Sequence, residues 1–217
     1  MADKKSLKEQ VYAAVIRDVI SGEYPPNAIL SEKQLIERFS VSKSPVRDAL
    51  IELCNEGVLR SIPRFGYEVV AYTEKDVREI IEFRGVLESH CLRQCAGSLT
   101  AADFERLDQF LVQSEQLAHS EQEIVAHWEN NVSFHLLLCS LAQNEYIYKE
   151  LERSMNVQLR AYAQFHWDRW HKTAIILDVD THKMIVRALA RRDLEEALRV
   201  LRQDLGLWNE SGSPARF

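Results

Sequence analysis

The sequence predicts a mainly α-helical protein of two domains: residues 1–72, which include a small β element, and residues 73–217, which form an all-α helical bundle. Strand and turn patterns fall in the first segment, whereas the second shows helix caps and helical periodicity almost throughout. A length of 217 residues accommodates two such domains with proper cores, and an apolar content of 46% is ordinary for a globular chain.

Three helices are predicted in the first domain. An amphipathic helix runs from about Leu7 to Ile20 and is followed by a turn over residues 22–26. Ser31 then caps a short helix that ends near Phe39, and only two residues separate that helix from the next, which opens at Ser42. Two short helices at this separation are typical of a helix-turn-helix.

The third helix opens with polar residues on its outer face. Ser42 can cap the unpaired amides of the helix start, and Pro45 falls in the first turn, where its missing amide costs little. The apolar residues that follow form an inward stripe, which leaves three polar side chains outside: Lys43, Ser44 and Arg47. A cationic, hydroxyl-bearing helix start suits phosphates and base edges, so we predict a recognition helix for DNA.

Two short strands follow the recognition helix. Gly57 supplies a helix stop, and the segments 58–62 and 66–70 read as strands around a turn at Pro63, Arg64 and Phe65. A helix-turn-helix followed by such a hairpin is a winged helix-turn-helix.

Residues 7–70 resemble the GntR family of bacterial transcription regulators. The resemblance rests on Gly22, the Ser31-Glu32 helix start, the Ser-Lys-Ser-Pro-Val-Arg-Asp-Ala-Leu recognition helix, Glu56-Gly57 and Gly66 in the wing. It implies DNA contacts from Lys33, Ser42, Lys43, Ser44, Pro45, Arg47, Arg64, Phe65 and Gly66. Lys33 and Lys43 stand where arginine is common in the family. Because lysine cannot fork onto a guanine, we expect phosphate binding there.

The net charge of −6 by itself argues against a DNA-binding protein. The acidity lies in the second domain, however: residues 1–72 carry ten Lys and Arg against ten Asp and Glu, and residues 73–217 carry seventeen against twenty-three. Affinity for DNA would therefore rest on a locally clustered basic face, and it would be sensitive to salt and dependent on a dimer.

Four cysteines occupy apolar helical positions without the paired spacing of a metal finger: Cys54, Cys91, Cys95 and Cys139. Cys91 and Cys95 lie one helical turn apart, which allows either a redox pair or buried structural thiols, and burial is the more common outcome. No signal peptide or membrane-spanning run is visible. We therefore expect a cytoplasmic protein with reduced thiols and no membrane partner.

The second domain reads as about six helices. Thr73 and Thr100 each place a hydroxyl at a helix start with a carboxylate three residues on. The later helices are predicted at about Glu121 to Leu141, Glu145 to His166, Asp178 to Arg191 and Leu194 to Leu207, with Trp167 to Leu177 the least certain stretch. Helices of this number and length can form a bundle that needs no strand.

Polar side chains occur on inward-looking positions of this bundle. Asn131 and His135 are four residues apart and share a helix face, while His182 and Asp204 fall among apolar residues of two later helices. Polar groups so placed must be paired, exposed or holding a ligand. Taken singly, a histidine in such a position is more often a satisfied core or surface residue than a metal ligand.

This second domain resembles the helical effector-binding domain of the FadR branch of GntR regulators. Where family members bind a metal, the ligands are an Asp and a His four apart on one helix and a His on each of two later helices. The matching positions here are Asn131, His135, His182 and Asp204. Two imidazoles and a carboxylate can hold a divalent transition metal such as zinc or nickel, with Asn131 as a weak neutral fourth donor. The alternative is a metal-free, purely organic pocket, because one anionic and one imidazole donor of the family are replaced.

The same resemblance implies that Arg84 faces the central cavity and helps to bind a carboxylate effector beside Asn131, His135 and His182, with Arg160 a weaker candidate. The alternative for Arg84 is an ion pair with Glu88 within its own helix.

Two functions fit these patterns. In the first, a homodimer places two winged helices on a palindromic DNA operator, and a small organic acid bound in the helical domain changes operator affinity. No catalytic residue is then expected, and a repressor is favoured. In the alternative, the two histidines and the carboxylate form a metal-dependent enzyme site, such as an iron triad or a metal-assisted hydrolase. The winged helix would then have no purpose, and we favour the regulator.

Overall fold

The computed structural model describes residues 5–118, 124–170 and 179–206. The chain divides into two compact units. Unit 1 comprises residues up to Thr73 together with 157–169, and unit 2 comprises residues 74–156 and those from Trp170 onward. One division between the units falls after Thr73, and residues 157–169, which the sequence-based division at 72/73 places in the helical domain, cluster with unit 1.

Up to Thr73, unit 1 contains three helices and a three-stranded antiparallel sheet of order β1-β3-β2. Its elements before Thr73 are α1 (Leu7–Ile20), β1 (Ile29–Leu30), α2 (Glu32–Phe39), α3 (Lys43–Asn55), β2 (Leu59–Ile62) and β3 (Gly66–Val69). The predicted helices and hairpin are confirmed. Strand β1, which pairs Ile29 with Glu68 and Leu30 with Tyr67, was not predicted, because two residues are too few for any periodicity.

The core of unit 1 forms where the apolar stripes of its helices meet the sheet. Buried side chains come from α1, α2, α3 and all three strands, including Val15, Leu30, Leu35, Leu50, Leu53 and Val69. Ser31 accepts from the amide of Gln34, whose side chain accepts in turn from the Ser31 amide, so the predicted cap of α2 is confirmed.

The predicted cap at the start of α3 is wrong. Ser42 has the extended backbone of a cap residue, but its side chain makes no capping hydrogen bond. A serine cap commonly accepts from the amide three residues on, and that residue is Pro45, which has no amide hydrogen. The hydroxyl of Ser42 is therefore exposed at the helix start.

The wing requires a glycine at its turn. Gly66 has φ 129°, and a β-carbon built there would collide with the backbone oxygen of Leu30 on the neighbouring strand. Arg64, two residues earlier, takes the left-handed conformation with φ 71°. The tight hairpin thus depends on local backbone geometry as well as on pairing.

Unit 2 is helical throughout its described residues. Its helices are α4 (Glu74–Cys95), α5 (Ala101–Ala118), α6 (Ile124–Ser140), the first part of α7 (Glu145–Trp170), α8 (Val179–Ala190) and α9 (Leu194–Asp204). The number of helices agrees with the prediction. Helix α7 is four residues longer than predicted. Residues 121–123, 171–178 and Leu207, which belong to other predicted segments, lie outside the described residues.

Five helices of unit 2 pack on one another. Helix α4 packs on α6 and α9, α5 packs on α6 and α8, and α8 packs on α9. The Thr100 cap of α5 is confirmed, since its hydroxyl accepts from the amide of Asp103 at 3.3 Å and donates to the Asp103 carboxylate at 2.7 Å. None of the described helices is both long enough and apolar enough to span a bilayer.

Candidate functional site

The start of α3 presents a polar surface over an apolar anchor. Val46, Ala49 and Leu50 are fully buried, while the residues predicted to touch DNA are exposed: Ser42, Lys43, Ser44 and Arg47. Pro45 is half-buried beside them. Helix α3 is therefore fixed by its inner face and free to meet a ligand with its outer face.

The cations of this surface differ in their neighbours. Lys43 Nζ lies 3.3 Å from a carboxylate oxygen of Glu32, and Lys33 Nζ lies 3.8 Å from one of Glu37. Arg47 makes no ion pair with any residue in the described part of the chain. Its guanidinium is therefore the cation of this helix that keeps its full charge for an anionic partner.

The wing adds a second exposed surface in the same unit. Phe65 is 74% exposed at the tip, and Arg64 beside it is exposed as well. Arg60 and Glu68 form an ion pair across the two strands below the tip. An exposed cation and aromatic ring on a rigid hairpin suit contact with a nucleic acid backbone.

Arg160, a candidate effector ligand, has different partners from those expected. It lies in unit 1 and is buried. Its Nη2 donates to the backbone oxygen of Glu56 just after α3 at 3.0 Å, and its Nε donates to the Tyr72 hydroxyl at 3.5 Å.

Within unit 2, a buried polar cluster brings together residues from four helices. Helix α4 supplies Arg84 and Glu88, α6 supplies Asn131 and His135, α8 supplies His182 and α9 supplies Asp204. His135 and His182 are 1% and 0% exposed. Both histidines therefore lie in the interior of unit 2.

The candidate metal ligands converge on one point. His135 Nε2 lies 3.0 Å from Asp204 Oδ2, and His182 Nε2 lies 3.5 Å from Asp204 Oδ1. One ligand atom from each of these three residues falls within 4.8 Å of the others. Asn131 Nδ2 is 3.5 Å from His182 Nε2, so the fourth predicted residue joins the group.

Glu88 connects this group to Arg84. Its Oε2 lies 2.6 Å from His135 Nδ1, and its Oε1 lies 2.9 Å from Arg84 Nη2. The intrahelical ion pair of Arg84 is thus present, but Glu88 also fixes the orientation of His135. Sequence reasoning missed this second role. The available signal was a carboxylate on the same helix face as buried apolar residues.

Phe134 is a second residue that sequence reasoning missed. Its ring stacks on His182 with centroids 3.9 Å apart and meets His135 edge-on at 5.5 Å. The two imidazoles are themselves nearly perpendicular, at 88°. Phe134 therefore limits the rotation of both histidines.

The charges of the cluster support one another. Burial alone would lower the pKa of His135, but Glu88 and Asp204 outweigh it and raise that pKa to about 9. Burial would raise the pKa values of Glu88 and Asp204, yet the attraction of His135 keeps both below their usual range, with smaller contributions from Arg84 at Glu88 and from His182 and Arg84 at Asp204. Without a metal, His135 is therefore an imidazolium between two carboxylates.

The donor set fits a first-row transition metal. Bonds of about 2.0–2.2 Å in a tetrahedral site set neighbouring donors about 3.3–3.5 Å apart, close to the 3.0 and 3.5 Å separations observed. The Glu88 contact to the far nitrogen of His135 is the arrangement that commonly orients a metal-binding imidazole. An amide rotation would present the Asn131 oxygen to the same point.

A winged helix with an exposed cationic recognition helix, together with a helical unit that encloses a polar cluster, defines a class: DNA-binding transcription regulators with a ligand-binding domain. The comparisons agree. The family model "Bacterial regulatory proteins, gntR family" matches residues 7–69, and the model "FCD domain" matches residues 79–206. The chain belongs to the GntR family of bacterial transcription regulators and carries an FCD domain.

Curated relatives resemble the chain over most of its length. It is 28% identical over 206 residues to the HTH-type transcriptional repressor RspR of Escherichia coli K12, covering 94% of this chain and 88% of that protein. It is 24% identical to a gluconate operon transcriptional repressor of Bacillus licheniformis, covering 86% and 76%.

Solved structures share the fold. McbR/YncC of E. coli has a TM-score of 0.69 at 22% identity, covering 93% of this chain and 94% of that one. A putative GntR regulator from Rhodococcus sp. RHA1 has a TM-score of 0.66 at 24% identity, covering the same shares.

Proposed function

We propose that the protein is an operator-binding repressor whose DNA affinity is set by a metal and a small carboxylate bound in unit 2. The convergence of His135, His182 and Asp204 on one buried point is the observation that supports this proposal most strongly. The relatives named as repressors support the direction of regulation. The alternative of a metal-dependent enzyme is not supported by the family.

On the DNA side, Arg47 would carry base recognition, with Ser42, Ser44, Pro45 and the wing residues Arg64, Phe65 and Gly66 around it. Lys33 and Lys43 would bind phosphates rather than base edges, because lysine lacks the fork that reads guanine. A single winged helix makes few base contacts. We therefore infer that a homodimer binds a palindromic operator. We also infer that the protein works in the cytoplasm.

In unit 2, His135, His182 and Asp204 would hold a zinc or nickel ion, with Asn131 as a neutral fourth donor. The ion would supply positive charge and open positions for an incoming ligand. The histidines would serve as its anchors, since Glu88 and Phe134 already fix their orientation.

The charge balance of the cluster favours an anionic effector. Without a metal, the cations Arg84 and His135 balance the anions Glu88 and Asp204. A divalent ion that replaces the proton on His135 leaves the group with one excess positive charge. Because a buried net charge is costly, a monocarboxylate would restore neutrality, and Arg84 is the residue best suited to bind it.

The test combines metal analysis with operator binding. The full-length protein would be stripped, incubated with zinc or nickel, and examined by elemental analysis. Its operator would be selected from a random DNA pool. We expect about one metal per chain and a symmetric selected sequence, and the double variant His135→Ala/His182→Ala should lose the metal and keep basal DNA binding.

The two halves of the proposal can fail separately. Protein that takes up no metal, yet selects a symmetric operator, would leave a repressor with a purely organic pocket. Protein that binds metal but selects no DNA sequence would overturn the assignment of α3. Light scattering of the full chain tests the dimer directly, and a monomer at micromolar concentration would contradict it.

A further inference from the structure

Two cysteines from different helices of unit 2 meet in its core. Cys91 on α4 and Cys139 on α6 have their sulfur atoms 2.7 Å apart, and both residues are 1% exposed. Leu151 and Met155 complete the buried cluster around them. Neither thiol contributes to the polar cluster, so the proposed function gives this pair no role.

The two sulfurs share one hydrogen bond, in which either can be the donor. That contact lowers the pKa of the sulfur that accepts and raises the pKa of the sulfur that donates, and burial raises both. One sulfur of the pair can therefore ionise while the other keeps its proton. A thiolate in contact with a thiol is the arrangement from which disulfides form.

Cys95 provides a comparison on the same helix. It is also 1% exposed, but burial raises its pKa to about 11, and its sulfur lies 3.8 Å from the backbone oxygen of Leu92. The sequence suggested Cys91 and Cys95 as a possible redox pair because they are one turn apart. The structure instead places Cys91 against Cys139.

We propose that Cys91 and Cys139 form a peroxide-oxidised dithiol site, in which a disulfide links α4 to α6. One thiolate of the pair attacks hydrogen peroxide, so that an S–O bond forms, the O–O bond breaks, and water leaves after protonation. The other thiol then attacks the sulfenic sulfur and loses its proton, and a second water leaves as the S–S bond forms. Both sulfurs are oxidised by one electron, and the peroxide takes up the two electrons.

Burial determines which oxidants reach the pair. A small peroxide can penetrate during local opening, whereas a bulky disulfide reagent needs a much larger opening. Thiols in a reducing compartment remain reduced until such an oxidant appears, and cytosolic disulfides are usually of this transient, redox-sensing kind.

The position of the bond connects it to the polar cluster. Glu88 lies three residues before Cys91 on α4, and His135 lies four residues before Cys139 on α6. A disulfide would thus fix the same two helices that the Glu88–His135 contact joins, one turn away. Any effect of oxidation on metal or effector binding rests on the proposed function, whereas the chemistry of the pair does not.

Tryptic peptide mapping can assign the bond without ambiguity. Cleavage after Arg84, Arg93, Arg106 and Lys149 places Cys91 in peptide 85–93, Cys95 in 94–106 and Cys139 in 107–149, and Cys54 falls in 48–60. The reduced full-length protein would be treated with hydrogen peroxide, quenched with catalase, denatured, alkylated with N-ethylmaleimide and digested.

We expect a reductant-sensitive species that joins peptides 85–93 and 107–149, together with a rise in melting temperature on oxidation, because the bond closes a long loop. Cys91→Ala should abolish the linked species and the rise, as should Cys139→Ala. Cys95→Ala, on the same helix and equally buried, should retain both.

The proposal is overturned if wild-type protein shows a Cys91–Cys95 linkage, if either Cys91 or Cys139 stops at a sulfinic acid, or if both thiols are fully alkylated after a treatment that oxidises the half-buried Cys54. These outcomes are read from the wild-type protein, so they stand even if an alanine variant fails to fold. They are also independent of whether a metal or operator is ever found.

Discussion

Proton competition at His135 gives the most specific prediction for the metal site. Its Nε2 must be free of hydrogen to bind a metal, but Glu88 and Asp204 raise the pKa of His135 to about 9. At pH 7 the neutral form is therefore about one part in a hundred, which weakens apparent metal affinity by about 2.7 kcal/mol. Affinity should rise about tenfold per pH unit below pH 9.

Two measurements on the metal-free protein test this dependence. Zinc titrations against a competing chelator at several pH values between 6.5 and 8.5 give the slope. Calorimetry at pH 7 in buffers of different ionisation enthalpy gives the protons released, which should be about one per metal. Histidine NMR resonances would report the pKa of His135 without any metal.

Glu88→Gln supplies the decisive variant, because it keeps the side-chain shape and removes the charge beside His135. The pKa of His135 should fall, so the pH slope and the proton release should both decrease. Glu82→Gln, on the exposed side of the same helix, is the matched control. Metal affinity independent of pH, with no proton release in the wild type, would refute the reasoning.

Three further predictions concern DNA binding and stability. Arg47→Ala should weaken specific operator binding by about 1–3 kcal/mol in gel shifts at fixed salt, whereas Lys33→Ala should act less selectively; equal effects would remove Arg47 from base recognition. Gly66→Ala should destabilise unit 1 by about 1–3 kcal/mol in denaturant unfolding, because the added β-carbon would meet the Leu30 backbone. Gly97→Ala is the control and should not destabilise the protein, because an added β-carbon there meets open space. Folding raises the pKa of His135, so its ion pairs stabilise the metal-free protein fully below about pH 6.5 and are lost as pH rises through about 9. The free energy of unfolding should therefore fall between these two pH values. A constant free energy of unfolding over this interval would contradict the ion pairs.

Local signals predicted most of the fold. Helix α1 has the predicted bounds, and the caps by Ser31 and Thr100 are present, because each depends on residues within one turn of the chain. The predicted capping hydrogen bond of Ser42 is absent for an equally local reason, because Pro45 has no amide hydrogen, and the sequence alone shows this. Strand β1 was not predicted, because a two-residue strand is defined only by its pairing with β3.

Long-range contacts account for what the sequence could not predict. The inward positions of His135 and His182 follow from helical periodicity, but the stacking of Phe134 on His182 needs the packing of α6 against α8. Arg160 has the spacing of a bundle residue, yet its partners are Glu56 and Tyr72, 104 and 88 residues away in the chain. No pattern within one helix identifies such partners.

Helix α4 illustrates how the two kinds of information combine. Arg84, Glu88 and Cys91 follow one another at intervals of four and three, so one face of the helix carries a cation, a carboxylate and a thiol. On α6, His135 and Cys139 are four apart and form a matching face. Each face can be read from the sequence, but the register between the helices decides that Glu88 meets His135 and Cys91 meets Cys139. One register therefore fixes both pairs, and a shift of α4 against α6 that disturbed the histidine would also separate the two sulfurs.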